Sequence, residues 1–299
     1  MQIYLNGQFY PADQAQISVE DAGFQHAMGL FETMFAYHGR IFRLDAHLAR
    51  MARSAAQLGL AAEMNTAPLA DAVNQTLAAN HLEHARLRLS VTGGTMSLLK
   101  NDDGEQSVAV RQTVSVVPSE PTVFDPAYFD KGVTVSIYGP SASPFDITAG
   151  HKTLAYWARL RSLRQAAAMG CSETLWLNIS NHLASGAVSN AFLVKDGTLL
   201  TPIASGEEKP KALAAPVLPG ITRSVVIELA EKMGIEVQRR MLSVQELLDA
   251  DEIFLTNSNW RVLPVTAIEK KTIGDGKPGE ITGQLRNAVL DLITEETTA

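Results

Sequence analysis

The stretch Leu183–Val194, LASGAVSNAFLV, decides how the rest of this chain is read. It passes from small and hydroxyl-bearing residues into an apolar segment, Ala191–Val194, and Asp196-Gly197 then supplies turn residues. Asn190–Leu200 therefore reads as a β-hairpin. Upstream lies Gly139–Gly150, a segment without periodicity that feeds directly into His151-Lys152. Loops of this kind often carry functional groups, so Lys152 is a candidate for chemistry.

Composition limits what that chemistry serves. At 299 residues the chain is long enough for two domains, or one large one, with a substantial core. Hydrophobic residues at 46% and charged residues at 19% describe an ordinary globular protein, not a disordered or fibrous one. A net charge of −7 argues against non-specific nucleic-acid binding, which needs clustered cations to neutralise phosphates. The one cysteine, Cys171, cannot form an internal disulfide and reads as a small buried side chain in a reducing cytosol. The first ten residues, MQIYLNGQFY, lack the basic and apolar regions of a signal peptide and read as two strands around Asn6-Gly7. No apolar run approaches the roughly 20 residues that span a bilayer. A cytoplasmic protein with small-molecule partners is expected, with neither nucleic acid nor membrane as partner. His47, His81 and His84 lack paired ligand spacing, so no metal site is expected; His81 and His84 read as a polar helix end.

Along the chain, Ile3–Tyr10 reads as a hairpin and Leu30–Tyr37 as a strand. Leu48, Met51, Ala55 and Leu58 follow helical spacing from Leu44 to Gly59; Leu69, Val73 and Leu77 mark a second helix. Ala85–Thr92 alternates, with Arg86 and Arg88 on one face. A further strand is expected over Ser107–Val117, ending at Pro118, and the Pro- and Asp-rich stretch to Asp130 reads as a boundary. The expected division is a domain over 1–118, an interdomain segment over 119–150 and a larger domain over 151–299. In the last, Leu154–Met169 reads as a helix and Glu173–Asn178 as a strand. A helix opens at Ile221-Thr222, Ser243 and Glu246 form a capping box, and Glu252–Thr256 is a strand followed by Asn257-Ser258-Asn259.

Several pieces resemble, in order, the motifs of the class IV (fold-type IV) pyridoxal-phosphate enzymes. That group holds the branched-chain and D-amino-acid aminotransferases and the 4-amino-4-deoxychorismate lyases. The pieces are Asp21-Ala22-Gly23-Phe24, Gly29-Leu30-Phe31-Glu32-Thr33, Phe42–Arg50, His151-Lys152-Thr153-Leu154, the run at Leu183–Val194, Leu218–Arg223 and Ile273–Pro278. The resemblance implies a mixed α/β, two-domain fold: a small N-terminal α/β domain, then a larger domain with a barrel-like antiparallel sheet, and the cofactor between them. It implies a homodimer. It also implies pyridoxal 5′-phosphate as cofactor, an amino-acid or keto-acid substrate, and Lys152 as the Schiff-base lysine. Arg50, Ile221, Thr222 and Ser258 would hold the phosphate, where an arginine fork and a helix N-terminus both suit an anion. If no ligand is there, Thr222 reads as a helix N-cap.

Ser185 departs from the pattern. The family carries a glutamate there, which keeps the pyridine nitrogen protonated and the ring a deep electron sink. A serine hydroxyl can donate only a hydrogen bond to a neutral nitrogen, which makes the sink shallower. Transamination is the leading expectation on the family's dominant activity. Elimination of pyruvate, as in an aminodeoxychorismate lyase, is the close alternative that Ser185 favours; a catalytically impaired metabolite-binding homologue is the remote one. The arginine stretch by which D-amino-acid aminotransferases trap the substrate carboxylate is replaced by Val91–Met96, so Phe31, Arg86 and Arg88 become the candidates for substrate.

Overall fold

The computed structural model describes residues 1–95 and 112–298. Contacts divide the chain into two units. One holds Met1–Thr122, His151–Ala155 and Glu296–Ala299; the other holds Val123–Gly150 and Tyr156–Glu295.

The first unit opens with β1 (Gln2–Leu5) and β2 (Gln8–Pro11), then α1 (Ala22–His26), β3 (Gly29–Tyr37), β4 (Arg40–Ile41), α2 (Leu44–Gln57), α3 (Ala67–Ala79), β5 (Ala85–Thr92) and β6 (Val114–Ser119). They form an antiparallel sheet in the order β2-β1-β6-β5-β3-β4. Strand alternation divides β3 between two faces. Leu30, Met34 and Ala36, with Leu87, Leu89 and Val91 of β5, pack against Leu48, Met51 and Ala55 of α2 and Val73 and Leu77 of α3. Each large apolar side chain buried there contributes roughly 1.5–3 kcal/mol. Phe31, Thr33 and Phe35 face the other way, opposite Ser90, Arg88 and Arg86.

Two expectations change here. The strand expected over Ser107–Val117 begins at Val114 and continues through Pro118 to Ser119, while 107–111 lie outside the described residues. Proline is tolerated because Pro118 lies past the part of β6 that pairs with β1. His81 and His84 are not on a helix: α3 stops at Ala79, His81 has a positive φ, and His84 packs edge-on to Tyr37 and His38.

The second unit contains α4 (Ala127–Asp130), β7 (Val133–Ala142), α5 (Trp157–Ala168), β8 (Glu173–Asn178), β9 (Leu183–Gly186), β10 (Asn190–Lys195), β11 (Thr198–Thr201), α6 (Ile221–Lys232), β12 (Val237–Arg239), α7 (Val244–Leu248), β13 (Glu252–Asn257), β14 (Arg261–Ile268), β15 (Lys271–Thr272) and most of α8 (Glu280–Thr298). Its sheet runs β12-β11-β10-β13-β14-β7-β8-β9, with β15 on β14. Pairing is mostly antiparallel, and parallel at β11/β12, β14/β7 and β7/β8. The end strand β9 packs back against β10, so the sheet curls toward closure. The expected barrel-like sheet is therefore present in a mixed form, as a curled half-barrel.

Gly139–Ala142, the start of the Gly139–Gly150 segment read as a loop for its lack of periodicity, belongs to β7, which stays paired with β8 through register shifts. The helix expected from Leu154 starts at Trp157, because Thr153 and Leu154 pair with β3 instead. The run at Leu183–Val194 becomes β9, a turn over 187–189, and β10.

Candidate functional site

In the first unit the site is built on β3 and α2. Glu32 sits among apolar residues on the inner face of β3 and is 1% exposed. It survives there because two residues of α2 deliver three donors to it. Arg50 Nε donates to Glu32 Oε1 at 2.8 Å, Arg50 Nη2 reaches Oε2, and His47 Nδ1 lies 2.8 Å from Oε2. Burial alone would raise the Glu32 carboxyl; Arg50 and His47 outweigh it and hold it down at about 2. His47 is itself lowered, first by burial and then by the Arg50 and Lys152 cations, against the pull of Glu32. The imidazole is therefore neutral at pH 7 and donates its Nδ1 proton to the carboxylate.

Lys152 is fastened to the same strand. Phe31 N–H donates to the Lys152 carbonyl, and Leu154 N–H to the Gly29 carbonyl, each at 3.0 Å. The preceding His151 places Nδ1 3.0 Å from Ser54 Oγ on α2. So held, Lys152 Nζ lies 4.2 Å from the Phe31 ring centroid, and the Arg88 guanidinium carbon lies 3.6 Å from it. Both are cation–π distances. Arg86 lies two residues before Arg88 on the same face, opposite Phe35.

In the second unit, polar groups gather at one end of the half-barrel. Ser185, the last residue but one of β9, is buried and its hydroxyl donates to the Gly186 carbonyl at 2.8 Å. The turn that follows is held by a buried carboxylate. Glu173 Oε1 accepts from the Ala187 N–H at 3.1 Å; its Oε2 accepts from the Val188 N–H at 3.2 Å and the Ser189 hydroxyl at 3.0 Å. Burial raises the Glu173 carboxyl above its usual range, although these donors oppose the rise. Gly186 passes so close that a Cβ there would run into Ser189 Oγ and Glu173.

Asn190, next along, donates from Nδ2 to the Leu218 carbonyl at 2.8 Å and lies against Gly220, where a Cβ would strike its Oδ1. Gly220 caps α6 in extended conformation without a side-chain cap bond. The Ile221 and Thr222 amides therefore open the helix, with Thr222 second in it and not the N-cap expected in the absence of ligand. Arg223 anchors this helix start. It is 1% exposed, forks onto both oxygens of Glu207 at 2.7 Å, and reaches the Pro202 carbonyl and Thr201 Oγ1. Opposite Asn190 across the ladder stands Thr256, whose buried hydroxyl has no hydrogen-bond partner among the described residues. Cross-strand neighbours share a face, so that hydroxyl lies on the side where Asn190 meets the start of α6. Ser258 follows in the turn after β13, between Asn257 and Asn259. An uncapped helix start beside an orphaned hydroxyl fits a phosphate group, whose oxygens accept from both.

Ser185, Ile221, Thr222 and Ser258 thus lie on the second unit, and Phe31, Arg50, Arg86, Arg88 and Lys152 on the first. In the sequence, Glu32, His47 and Arg223 stand inside motifs but carry no assigned role, while Glu173 and Arg159 stand in none; a polar residue on the otherwise apolar β8 was the one signal for Glu173. Among the described residues no group of three or more His, Cys, Asp or Glu is placed to hold a metal, and no helix is long and apolar enough to cross a membrane. Cys171 is buried, and burial pushes its thiol up.

The family model described as "Amino-transferase class IV" matches residues 29–268. A protein of Methanocaldococcus jannaschii, the "putative branched-chain-amino-acid aminotransferase", is 32% identical over 99% of this chain and 97% of its own length. The D-alanine aminotransferase of Bacillus licheniformis is 27% identical over 99% of each. Among solved structures, a branched-chain amino acid aminotransferase of T.th., complexed with N-(5′-phosphopyridoxyl)-L-glutamate, superposes with a TM-score of 0.82. It is 26% identical and covers 98% of this chain and 94% of its own. The 4-amino-4-deoxychorismate lyase of Pseudomonas aeruginosa gives a TM-score of 0.79 at 26% identity, covering 97% of this chain and 98% of its own.

Proposed function

Because this chain belongs to the class IV aminotransferase family, we propose that it transaminates an amino acid and that Lys152 is the lysine that attaches the cofactor. The cofactor is pyridoxal 5′-phosphate, which supplies an aldehyde for amine attachment and a ring that accepts electrons. One observation carries the role of Lys152: its backbone is laddered onto β3 and its neighbour His151 is bonded to α2. A solvated surface lysine has no reason to be fixed in this way. Held by a segment bonded to β3, the amine can take a proton from a substrate carbon and return it at a defined place.

The remaining roles follow from chemistry. Ile221, Thr222 and Ser258 would take the phosphate, and Ser185 would donate to the ring nitrogen. Arg50 would add positive charge, although two of its donors are committed to Glu32. Arg88, stacked on Phe31 beside Lys152, is best placed for a substrate carboxylate, with Arg86 next on that face. The net charge and single cysteine support a cytosolic enzyme, and family habit supports a homodimer.

Borohydride reduction of the loaded protein should fix the cofactor on Lys152 alone; peptide mass spectrometry showing another lysine overturns the assignment. A panel of L- and D-amino acids with 2-oxoglutarate or pyruvate should then show keto-acid exchange. The second reading is elimination: Ser185, a hydroxyl in place of a carboxylate, favours it. Pyruvate released from aminodeoxychorismate without any acceptor, and no exchange in the panel, would replace transamination with that reading.

A further inference from the structure

We propose that Arg159 is a positioning residue that releases the Ser185 hydroxyl for the cofactor; this rests on the reading that Ser185 meets the ring nitrogen. A serine hydroxyl has one proton to give. Here it is given to the Gly186 carbonyl at 2.8 Å, so donation to a neutral ring nitrogen requires the hydroxyl to leave that carbonyl. An abandoned buried carbonyl would oppose the turn.

Arg159 removes this obstacle. It stands in the first turn of α5, with its guanidinium carbon 5.0 Å from the Trp176 ring centroid, and Nη1 donates to the Ala187 carbonyl at 2.7 Å. The same nitrogen lies 3.3 Å from the Gly186 carbonyl, the acceptor that Ser185 also uses. A carbonyl has two lone pairs, and when one donor rotates away the guanidinium keeps it satisfied. Glu173 grips the amides of the same turn, so the hydroxyl can rotate while the backbone around it stays fixed. Arg159 belongs to none of the motifs in the chain, and its effect is specific to a serine at position 185. A carboxylate there has no proton to hand over.

The test is a double-mutant cycle on cofactor affinity, read by absorbance titration of pyridoxal 5′-phosphate into the apo-proteins. S185A should weaken binding about fivefold, the size of one neutral hydrogen bond, and R159M by a similar factor. In the S185A background, R159M should add little, because there is no hydroxyl left to release. The absorption maximum of the bound cofactor should shift in both single variants and move no further in the double. R159K, which keeps one donor, should recover part of the affinity. Equal R159M effects in both backgrounds overturn the proposal, since Arg159 then only supports the turn. If S185A leaves affinity and spectrum unchanged, Ser185 does not meet the cofactor, and both the underlying reading and the proposal fall. Should R159M not fold, R159K is carried through the same cycle under the same criterion.

Discussion

Glu32 shows how a single side chain couples stability to the site. Its carboxylate is buried between a strand and a helix and is tolerable only because Arg50 and His47 meet it. E32Q should therefore destabilise the protein by about 3–5 kcal/mol, the usual effect of stripping one partner from a buried ion pair. The check is a lowered urea midpoint with an unchanged slope. The pH dependence has a definite sign. Glu32 titrates near 2 when folded and near 4.5 when unfolded, so its contribution is complete above about 4.5 and is lost as pH falls toward 2. His47 is lowered by folding, so protonation of the unfolded chain draws stability away as pH drops through its ordinary value of 6.5. Both terms make acid destabilising and oppose the raised Glu173 carboxyl, whose contribution is complete below about 4.5, so urea midpoints measured from pH 4.5 to pH 3 should fall. In E32Q the segment below about 4.5 should flatten. None of this was legible in the sequence. The helical spacing of Leu48, Met51 and Ala55 revealed the buried face of α2, but His47 and Arg50 lie on that face too. A hydrophobic pattern cannot tell a buried polar residue with a partner from an exposed one without.

At the scale of elements, what the sequence disclosed was what is local. The capping box at Ser243 and Glu246, the turn at Asp196-Gly197 and the helix start at Ile221 each depend on neighbours within a few residues. The full extent of β7 does not: its last residues are held by β8, which lies more than thirty positions away in the chain. The short start of α5 has the same origin, since Thr153 and Leu154 are claimed by β3. The helix start at α6 invites a prediction of its own. R223K keeps the charge but loses the fork onto Glu207 and the bonds to Pro202 and Thr201, which should cost about 2 kcal/mol. Because α6 would then be less firmly placed, affinity for inorganic phosphate should drop as well, measurable as a smaller rise in melting temperature on adding phosphate. An unchanged phosphate response would separate Arg223 from the site.

At the scale of the whole chain, the fold class was readable because several short motifs occur in a fixed order, and the family match over residues 29–268 agrees with that order. The identity of the site residues was readable only where a motif named them. The frame around Ser185, with Arg159 on its carbonyls and Glu173 on its amides, has no motif and emerges only when α5, β8 and the 186–189 turn are seen together. The excursion of His151–Ala155 back to the first unit has a practical consequence. A fragment ending near Thr122 would carry nearly all of the first sheet yet leave the Gly29 carbonyl and the Phe31 amide without their partners from the later segment. Exposed strand edges recruit other chains. Such a fragment, expressed alone, should self-associate, and a synthetic peptide spanning residues 148–156 should suppress that association. The lysine proposed for the chemistry would then sit in a segment whose bonds to β3 also keep the protein from sticking to itself.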